Sequence, residues 1–228
     1  MKANSIRARV RAEMIDEIKT IARRHLASEG ANLSLRAVAR DLGVVSSAIY
    51  RYFASRDELL TALILDAYNA IGAAVEQRER EVVRTDLVGR WMAVCHAVRD
   101  WALAHPHEYA LVYGSPVPGY QAPADTVAAA TRAVTVLVGI LRDGAVSGVL
   151  RDDADERLPV GVDVDVARLA AAMAPEVPPP VLARGLTAWV QLFGMINFEV
   201  FGQLNNTIDH RDEFFGYQMR AQAALIGL

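Results

Sequence analysis

The chain has 228 residues, of which 53% are hydrophobic and 22% are charged, and its formal net charge is −3. This composition supplies a hydrophobic core and excludes an intrinsically disordered chain, and the length allows one or two domains. The longest uncharged apolar stretch, residues 185–198, is too short to cross a bilayer, and the charged N-terminal residues argue against a secretory signal. A single cysteine, Cys95, excludes an internal disulfide. We therefore expect a cytoplasmic protein without a membrane-spanning segment.

Charge is unevenly distributed along the chain. Residues 1–60 hold 11 basic and 7 acidic residues, whereas residues 61–228 hold 13 basic and 20 acidic residues. A basic first segment favours a polyanionic partner there and a different role for the acidic remainder. The basic N-terminal arm consists of Lys2, Arg7, Arg9 and Arg11. A disordered solubilising tail and a minor-groove or phosphate contact are both open interpretations of this arm.

Apolar residues recur at helical spacing through nearly the whole chain. The first helix is expected to end near Gly30, and two short helices follow, which Ser34 and Ser46 are placed to cap. Ser55 and Glu58 have the spacing of a capping box, in which a serine oxygen and a glutamate carboxylate each accept from backbone N–H groups. A long helix is predicted to begin there.

Prolines and glycines mark the ends of the later helices. The long helix continues to about Val83, and the next one stops before Pro106. Residues 109–123 combine aromatic side chains with glycines and prolines, so only their first turn or two can be helical. Another helix covers residues 127–141, and two long helices follow the prolines at 175–180.

One segment departs from helical periodicity. Valines at every second position from Val160 to Val166 alternate with Gly161, Asp163 and Asp165, which is a strand pattern. A lone strand has no pairing partner in an otherwise helical chain. We therefore predict a loop, with Asp163 or Asp165 capping a helix that runs from Val166 to residue 173.

Residues 34–60 predict a helix–turn–helix. Ala39 is small enough to let a second helix approach, Gly43 suits a left-handed turn, and Ile49 fills the angle between the two helices. The outward positions of the second helix are small, polar or basic, as entry into the major groove of DNA requires. These positions are Ser46, Ser47, Tyr50 and Arg51.

Basic residues near this motif have two interpretations. Arg56 lies in the first turn of the following helix, where a positive charge opposes the helix dipole, so a phosphate partner explains it better than helix stability. Arg36 and Arg51 fit either nucleic-acid contacts or an ordinary solvated surface. Tyr50 fits either a phosphate contact or half-buried packing.

The pattern formed by residues 35–44, 48–53 and 55–60 closely resembles the DNA-binding domain of the tetracycline-repressor (TetR) family of bacterial transcription regulators. The resemblance covers about residues 7–60. It implies these DNA-contact residues: Ser34, Arg36, Ser46, Ser47, Ala48, Tyr50, Arg51, Tyr52 and Arg56. Tyr52 stands where the family usually has a histidine, and a phenol can donate to phosphate but cannot become cationic.

The remainder of the chain resembles a TetR ligand-binding subclass named for a Trp-His-Gly signature. Phe193 stands where the histidine is expected. The resemblance implies a mostly apolar pocket among the central helices, which would bind a small-molecule effector. Candidate lining residues are Trp101, Tyr109, Tyr113, Phe193 and Asn197. The alternative is that the aromatic residues are simply core.

The last two helices are apolar on nearly all sides, which favours burial against more than one neighbour. Two such helices from each of two chains would form a four-helix interface, as TetR homodimers do. Predicted interface residues are Ala188, Leu192, Met195, Phe214, Phe215 and Met219. The alternative is a terminal hairpin folded on its own core.

Enzyme and metal functions lack sequence support. The sequence contains no nucleophile elbow, phosphate loop or dinucleotide fingerprint. His105 and His107 would diverge on a helix, and Pro106 between them indicates a helix start. We predict no catalytic residue, no metal site and no cofactor.

Together these patterns predict an all-α protein with two domains. Residues 1–55 would form a three-helix DNA-binding domain, and residues 56–228 a helical bundle for ligand binding and dimerisation. The predicted function is a homodimeric repressor that binds a palindromic double-stranded DNA operator and is released by a small, mostly apolar effector. Alternatives are an activator or ligand-independent regulator of the same fold, or a small-molecule-binding protein without operator function.

Overall fold

Helices form the regular secondary structure of the protein. The computed structural model describes residues 2–30, 32–151 and 156–228. Eleven helices and no strand occupy these residues, which confirms the predicted all-α class. The helices are α1 Lys2–Glu29, α2 Leu35–Asp41, α3 Ser46–Ile49, α4 Arg56–Arg80, α5 Leu87–Ala104, α6 Pro106–Tyr113, α7 Thr126–Ala130, α8 Arg132–Val146, α9 Val160–Met173, α10 Pro179–Val200 and α11 Arg211–Ile226.

The chain divides into two compact units that are not contiguous in sequence. The first unit combines Met1–Ala70 with His105–Ala130, and the second combines Ile71–Ala104 with Thr131–Leu228. Helix α4 therefore begins in the first unit and ends in the second. Helices α6 and α7 belong to the same unit as α1–α3.

The core of the first unit is built from α1, α2, α3 and α4. Its buried side chains include Ile18 and Ala22 of α1, Ile49 of α3, and Leu59 and Leu63 of α4. The residues of α1 and of α4 recur at helical spacing, so the apolar stripes seen in the sequence are the faces that pack together.

Residues from α6 and the segment that follows it cover this core. Leu111, Val117 and Tyr120 pack against it, and the Tyr120 hydroxyl lies 2.9 Å from the Thr61 hydroxyl of α4. The segment rich in glycine and proline therefore packs against the core of α1–α4 through Val117 and Tyr120.

Polar side chains cap two helices of this unit as predicted. The Ser34 hydroxyl accepts from the Ala37 N–H at 3.4 Å, and the Ser55 hydroxyl accepts from the Glu58 N–H at 3.1 Å. The Glu58 carboxylate accepts from the Ala54 N–H at 2.5 Å, one residue before the position that a capping box uses. The caps predicted at Ser34 and Ser55 are confirmed.

Helix α5 lies against α8, α10 and α11 in the second unit. Its Trp91 is fully buried, and the indole N–H donates to the Met219 carbonyl of α11 at 2.8 Å. A buried indole needs such an acceptor, so this bond fixes α11 against α5.

Two arginines of α5 are buried with acidic partners. Arg90 is only 1% exposed, and its guanidinium nitrogens lie 2.6 Å from Glu79 and 2.7 Å from Asp143. Arg99 donates to both carboxylate oxygens of Glu199, at 2.7 and 2.8 Å. These pairs tie α5 to α4, α8 and α10.

The predicted loop at residues 160–165 is wrong, because helix α9 begins at Val160. Pro159 precedes it with extended geometry, and Asp163 lies in its first turn, where a negative charge is favourable. Val160 is 84% exposed, so the valine alternation does not mark a buried face. Val166 and Ala170, four residues apart, are the buried positions, as in a helix packed along a narrow stripe.

Two helix starts in the first unit also differ from the predictions. Ser46 is the first residue of α3 and does not cap it, since the cap position is Val45. Helix α1 extends back to Lys2, so the predicted arm is helical and not a disordered tail. The side chain of Lys2 lies outside the described part of the chain.

Helix α4 is long and apolar enough to cross a membrane by length and composition. Because 44% of its apolar stretch is buried inside the protein, it has the character of a core helix, and it is weak evidence for a membrane span.

Candidate nucleic-acid interface

Helices α2 and α3 form the predicted helix–turn–helix. Gly43 has a φ of +74°, in the left-handed region where a side chain would be strained, and the Val44 N–H donates to the Ala39 carbonyl at 3.0 Å. Ala39 and Ile49 are buried between the helices. All three residues that suggested the motif therefore have the predicted roles.

Helix α3 and the turn after it present a polar face to solvent. Ser46, Ser47, Tyr50 and Arg51 are exposed, while Ile49 on the opposite side is buried. The exposed fraction of Tyr50 is 46%, so this residue is about half buried, and both half-buried packing and a phosphate contact fit it. Hydroxyl and guanidinium donors are thus available on one surface.

The other predicted contact residues lie at the surface of the same unit. Ser34 and Arg36 are exposed at the start of α2, and Ala48 and Tyr52 are partly buried. Arg56 is also partly buried, and its Nη1 lies 3.6 Å from the Asp57 carboxylate, so its charge is partly balanced.

Arg11 of α1 contacts the end of the helix–turn–helix. Its guanidinium carbon lies 5.2 Å from the centre of the Tyr52 ring, and Nη1 donates to the Arg51 carbonyl at 3.2 Å. A cation over a tyrosine face is an attractive arrangement. Tyr52 cannot itself become cationic, but a positive charge is therefore present beside it.

A histidine–aspartate pair joins α1 to α2. His25 is buried, and its Nε2 lies 2.7 Å from the Asp41 carboxylate. This hydrogen bond is the main cause that lowers the pKa of Asp41 from its ordinary value of 3.8, and Arg40 lowers it further. The pair fixes the C-terminal end of α2 against the core.

Ion pairs join α1 to α4 and α6. Lys19 and Arg23 of α1 lie 2.9 and 2.6 Å from the Asp66 carboxylate of α4. Arg23 also reaches Glu108 of α6 at 3.0 Å. These contacts hold α6 in the unit that carries the helix–turn–helix.

Two of the predicted ligand residues belong to a tyrosine cluster in this unit. The Tyr109 and Tyr113 ring centres are 5.2 Å apart, and the Tyr113 and Tyr68 ring centres are 6.0 Å apart. Burial raises the pKa of all three hydroxyls, so they remain neutral at physiological pH.

The other predicted ligand residues lie in the second unit. Phe193 packs edge-on against Trp189, with ring centres 5.0 Å apart, and Asn197 is partly buried. Trp101 borders an open cavity of about 300 Å³, which Arg78, Glu81 and Asp100 also line. This charged lining departs from the mostly apolar pocket that the resemblance implies, and the other four candidate residues do not line this cavity.

Comparison with known proteins assigns both parts of the chain. Residues 20–63 match the family described as bacterial regulatory proteins, tetR family, and residues 91–222 match a tetracyclin repressor-like C-terminal domain. The chain belongs to the TetR family. This confirms the resemblance to the TetR family, and the Trp-His-Gly subclass stays a prediction. The protein is therefore a transcriptional regulator with a DNA-binding domain, and not an enzyme.

Individual relatives of this TetR protein support the same assignment. The HTH-type transcriptional regulator Rv1816 of Mycobacterium tuberculosis is 38% identical over 204 residues, covering 89% of this chain and 85% of that protein. The crystal structure of the proposed regulatory protein SCO4313 has a TM-score of 0.76 at 30% identity, covering 95% of this chain and 98% of that one. The TetR-family regulator PfmR from Thermus thermophilus shares the fold, with a TM-score of 0.57 at 21% identity, over 92% of this chain and 96% of that one.

The residues predicted for a TetR dimer interface are mostly inside the protomer. Ala188, Leu192, Phe215 and Met219 are buried in the chain's own core, which agrees with the alternative of a terminal hairpin for these positions. Met195 and Phe214 are partly buried. A side chain without exposed surface cannot contact a second copy, so an interface on α10 and α11 would use their other faces.

Those other faces of this TetR protein expose large hydrophobic side chains among charged residues such as Asp212, Glu213 and Arg220. Val190, Phe198, Phe201, Tyr217 and Leu225 of the α10–α11 region are exposed large hydrophobic residues. The exposed fraction of Tyr217 is 64%. We call these five residues the exposed apolar face.

Metal ligation finds no support in the geometry. Among the residues that the structure describes, no group of three His, Cys, Asp or Glu side chains is placed to hold a metal ion. His105 precedes Pro106, the first residue of α6, as the predicted helix start requires. The Cys95 thiol is buried, which raises its pKa and leaves it protonated.

Sequence reasoning missed the residues that support the helix–turn–helix. Arg11, His25 and Asp41 belong to different helices or to distant turns, and no short motif links them. The sequence shows Arg11 only as one of the basic residues of the N-terminal arm. The histidine at 25 lies on a face otherwise formed by apolar residues, which was the available signal for a buried polar partner.

Proposed function

We propose that this TetR-family regulator is a repressor that binds a palindromic operator as a homodimer and releases it when a small molecule binds. The DNA-binding domain is assigned to residues 1–55, with Arg56 just after it as a further phosphate contact, and effector binding and dimerisation are assigned to residues 56–228. The observation that carries the proposal is the polar face of α3, which buried Ile49 anchors while Ser46, Ser47 and Arg51 stay exposed. A cytoplasmic location follows from this role.

The proposed base and phosphate contacts differ in kind. Arg51 and the two serines lie where side chains can reach base edges in the major groove. Tyr50, Tyr52, Arg36 and Arg56 flank that surface and fit phosphate contacts, which fix the orientation of the helix on the duplex. Ser34 and Ala48 complete the surface.

Dimerisation is supported by the exposed apolar face. Large hydrophobic side chains that are exposed on two neighbouring helices favour burial against a partner. We call α3 and the turn after it, residues 46–52, the recognition helix. A twofold dimer would place the recognition helix of each copy on one half of a palindrome. The proposed interface therefore uses Phe198, Tyr217 and their neighbours, with Met195 and Phe214 at its margin.

The proposed effector is a weakly polar molecule. In the second unit Phe193 and Asn197 offer an apolar surface with one amide. In the first unit the partly buried Tyr113 offers an aromatic ring with a neutral hydroxyl, while Tyr109 beside it is fully buried. Trp101 lines a cavity of its own in the second unit, where Arg78, Glu81 and Asp100 supply charged partners. An effector that prefers the DNA-incompetent state about 100-fold would weaken operator binding by about 2.7 kcal/mol.

Selection of DNA from a random-sequence pool tests the DNA-binding part directly. The wild-type protein should enrich a palindromic sequence, and a reporter gene placed behind that sequence should be silenced when the protein is expressed. Activation of the reporter would overturn the repressor assignment, and enrichment of no sequence would overturn operator binding.

A compound screen tests the effector part. Weakly polar aromatic compounds should both raise the thermal unfolding temperature and release the selected duplex. Tyr113→Ala and Phe193→Ala should reduce both responses, with Arg168→Ala on exposed α9 as the control. If both variants respond like the wild type, the pocket assignment fails.

A further inference from the structure

We propose that Arg11 is a positioning residue for DNA binding, which holds the C-terminal end of the recognition helix through Tyr52 and the Arg51 carbonyl. The inference rests on the proposed DNA-contact face of α3. It assigns to the first helix a role in presenting that face, beyond its contribution to the core.

Arg11 contacts the C-terminal end of the recognition helix at the protein surface. The guanidinium covers the Tyr52 ring at 5.2 Å, and Nη1 donates to the Arg51 carbonyl at 3.2 Å. The same residue whose carbonyl is held, Arg51, exposes its own guanidinium to solvent. Fixing the backbone of Arg51 therefore limits where that guanidinium can reach.

The recognition helix needs such support because it is short. Regular α-helix covers only Ser46–Ile49, and the chain continues through turns in which the Tyr52 and Phe53 N–H groups both donate to the Ile49 carbonyl. Ile49 and Phe53 are buried and anchor the segment from inside. Arg51 and Tyr52 lie between these anchors.

Packing beneath this end of the helix is incomplete. A small cavity of about 70 Å³ lies between α1 and the recognition helix, lined by Met14 and Ile18 on one side and Ala48, Arg51 and Tyr52 on the other. Water can enter a pocket of this size, so apolar packing between α1 and this end of the helix is not continuous. The polar contacts of Arg11 join α1 to the same end.

A second role for Arg11, as an independent phosphate cation, makes a different prediction. A residue that acts only by neutralising phosphate contributes the same free energy whatever lies at position 52. A residue that acts through Tyr52 loses its effect when the ring is removed. A double-mutant cycle separates the two roles.

The experiment measures the affinity of the full-length protein for a duplex that the wild type selects from a random pool, and for a scrambled duplex. Arg11→Ala should weaken binding to the selected duplex about tenfold and reduce discrimination between the two duplexes. Arg168→Ala is the control for DNA binding, because Arg168 is an exposed arginine of α9 that pairs with Asp165, outside the basic N-terminal arm, and it should leave discrimination unchanged. Arg9→Ala is the control for amide exchange in the free protein, because Arg9 is an exposed arginine of the same helix as Arg11 that pairs with Glu13.

The cycle then combines Arg11→Ala with changes at Tyr52. In the Tyr52→Phe background the ring remains, so Arg11→Ala should still cost about tenfold. In the Tyr52→Leu background the cost should fall to about twofold. If Arg11→Ala lowers the affinity by the same factor with Tyr, Phe or Leu at position 52, and reduces the salt dependence by about one unit, Arg11 is an independent phosphate contact and the proposal is overturned.

Amide hydrogen exchange of the free protein gives a readout that needs neither DNA nor the Tyr52→Leu variant. Arg11→Ala should accelerate exchange at the Tyr52 and Phe53 N–H groups, and Arg9→Ala should not. Equal exchange in the two variants would overturn the positioning role. If the wild type enriches no sequence, operator binding and the role of Arg11 both fail. If the wild type does enrich a sequence and the affinity losses from the changes at positions 11 and 52 are additive, only the role of Arg11 fails.

Discussion

Two exposed or partly exposed arginines of the first unit differ in what surrounds them. Arg51 projects from the recognition surface, whereas Arg56 lies in the first turn of α4 beside Asp57. Arg51→Ala should therefore cost roughly 1–3 kcal/mol in affinity for the selected duplex and relax its sequence preference. Arg56→Ala should weaken all duplexes similarly and lower the salt dependence by about one unit.

Titrations at several salt concentrations measure both effects, with Arg168→Ala as the control for loss of one positive charge. Arg168 is an exposed arginine of α9 that pairs with Asp165. If Arg51→Ala and Arg56→Ala both bind DNA as tightly as the control, this surface is not the DNA-binding element.

The His25–Asp41 pair predicts a pH-dependent stability of the DNA-binding unit. The pKa of Asp41 is lowered by His25 and Arg40, so ionised Asp41 stabilises the folded state above its ordinary pKa of 3.8. This contribution is lost as the pH falls through the lower pKa of the folded state. Asp41→Asn should therefore unfold at a lower temperature than the wild type at pH 7, and the difference should shrink below about pH 4.

Circular dichroism at a series of pH values compares the two unfolding temperatures. Asp165→Asn, an exposed carboxylate on α9, is the control and should show little difference from the wild type at any pH. A difference between Asp41→Asn and the wild type that does not change with pH would contradict the prediction.

Local residue roles could be predicted where the interaction stays within a few positions of the chain. The caps of Ser34 and Ser55 and the left-handed turn at Gly43 follow from side-chain chemistry and spacing alone. The contacts of Arg11 and His25 could not be predicted, because their partners are 40 and 16 residues away and are brought near only by the packing of α1.

At the scale of helices, buried charge joins α4, α5 and α8. Arg90 is almost fully buried between Glu79 and Asp143, so its removal leaves the buried Glu79 with less compensation. Arg90→Ala should lower the free energy of unfolding by about 3–5 kcal/mol. Urea unfolding followed by tryptophan fluorescence measures this, since all three tryptophans lie in the second unit.

Arg78→Ala is the control for Arg90→Ala. Arg78 pairs with Asp100, but both side chains are about half exposed, so water can replace the lost partner. Its removal should cost less than about 1 kcal/mol. Comparable costs for the two variants would mean that the buried network does not stabilise the junction of the three helices.

Helix α9 shows why periodicity alone misassigned one element. The period-two pattern counts valines, yet the first valines of α9 face solvent, so the pattern carries no information about a buried face. What decides the structure is the Pro159 start, Asp163 in the first turn and the Val166–Ala170 stripe. For the other long helices the apolar spacing predicted helix correctly, although the single helix predicted at residues 127–141 is divided at Thr131 into α7 and α8.

For the whole molecule, the exposed apolar face predicts a dimer. Burying Phe198 and Tyr217 against a second copy would remove large hydrophobic surface from water, and a stable interface of this kind covers on the order of 2,000 Å². Phe198→Glu and Tyr217→Glu should therefore give monomers. Sedimentation velocity at several concentrations measures the change.

Val164→Glu is the matched control for the dimer test. Val164 is an exposed valine of α9, outside the exposed apolar face, so a charge there should leave the dimer intact. A wild-type protein that sediments as a monomer at micromolar concentration would contradict the proposed interface.

The division of the whole chain was only partly accessible from sequence. A boundary near residue 55 follows from the helix–turn–helix pattern and is retained as a proposal about function. The packing units differ from that division, because α6 and α7 join α1–α3 through long-range contacts such as Arg23–Glu108. Side-chain pairs separated by so much sequence leave no periodic signal.

The discontinuous first unit has a consequence for synthesis on the ribosome. The core residues from Ile18 to Leu63 are translated well before Leu111, Val117 and Tyr120, which cover them. All of α5, which belongs to the other unit, is made in between. A nascent chain therefore holds an incompletely covered apolar core until the segment after α6 leaves the exit tunnel, and during that interval this surface is open to chaperones.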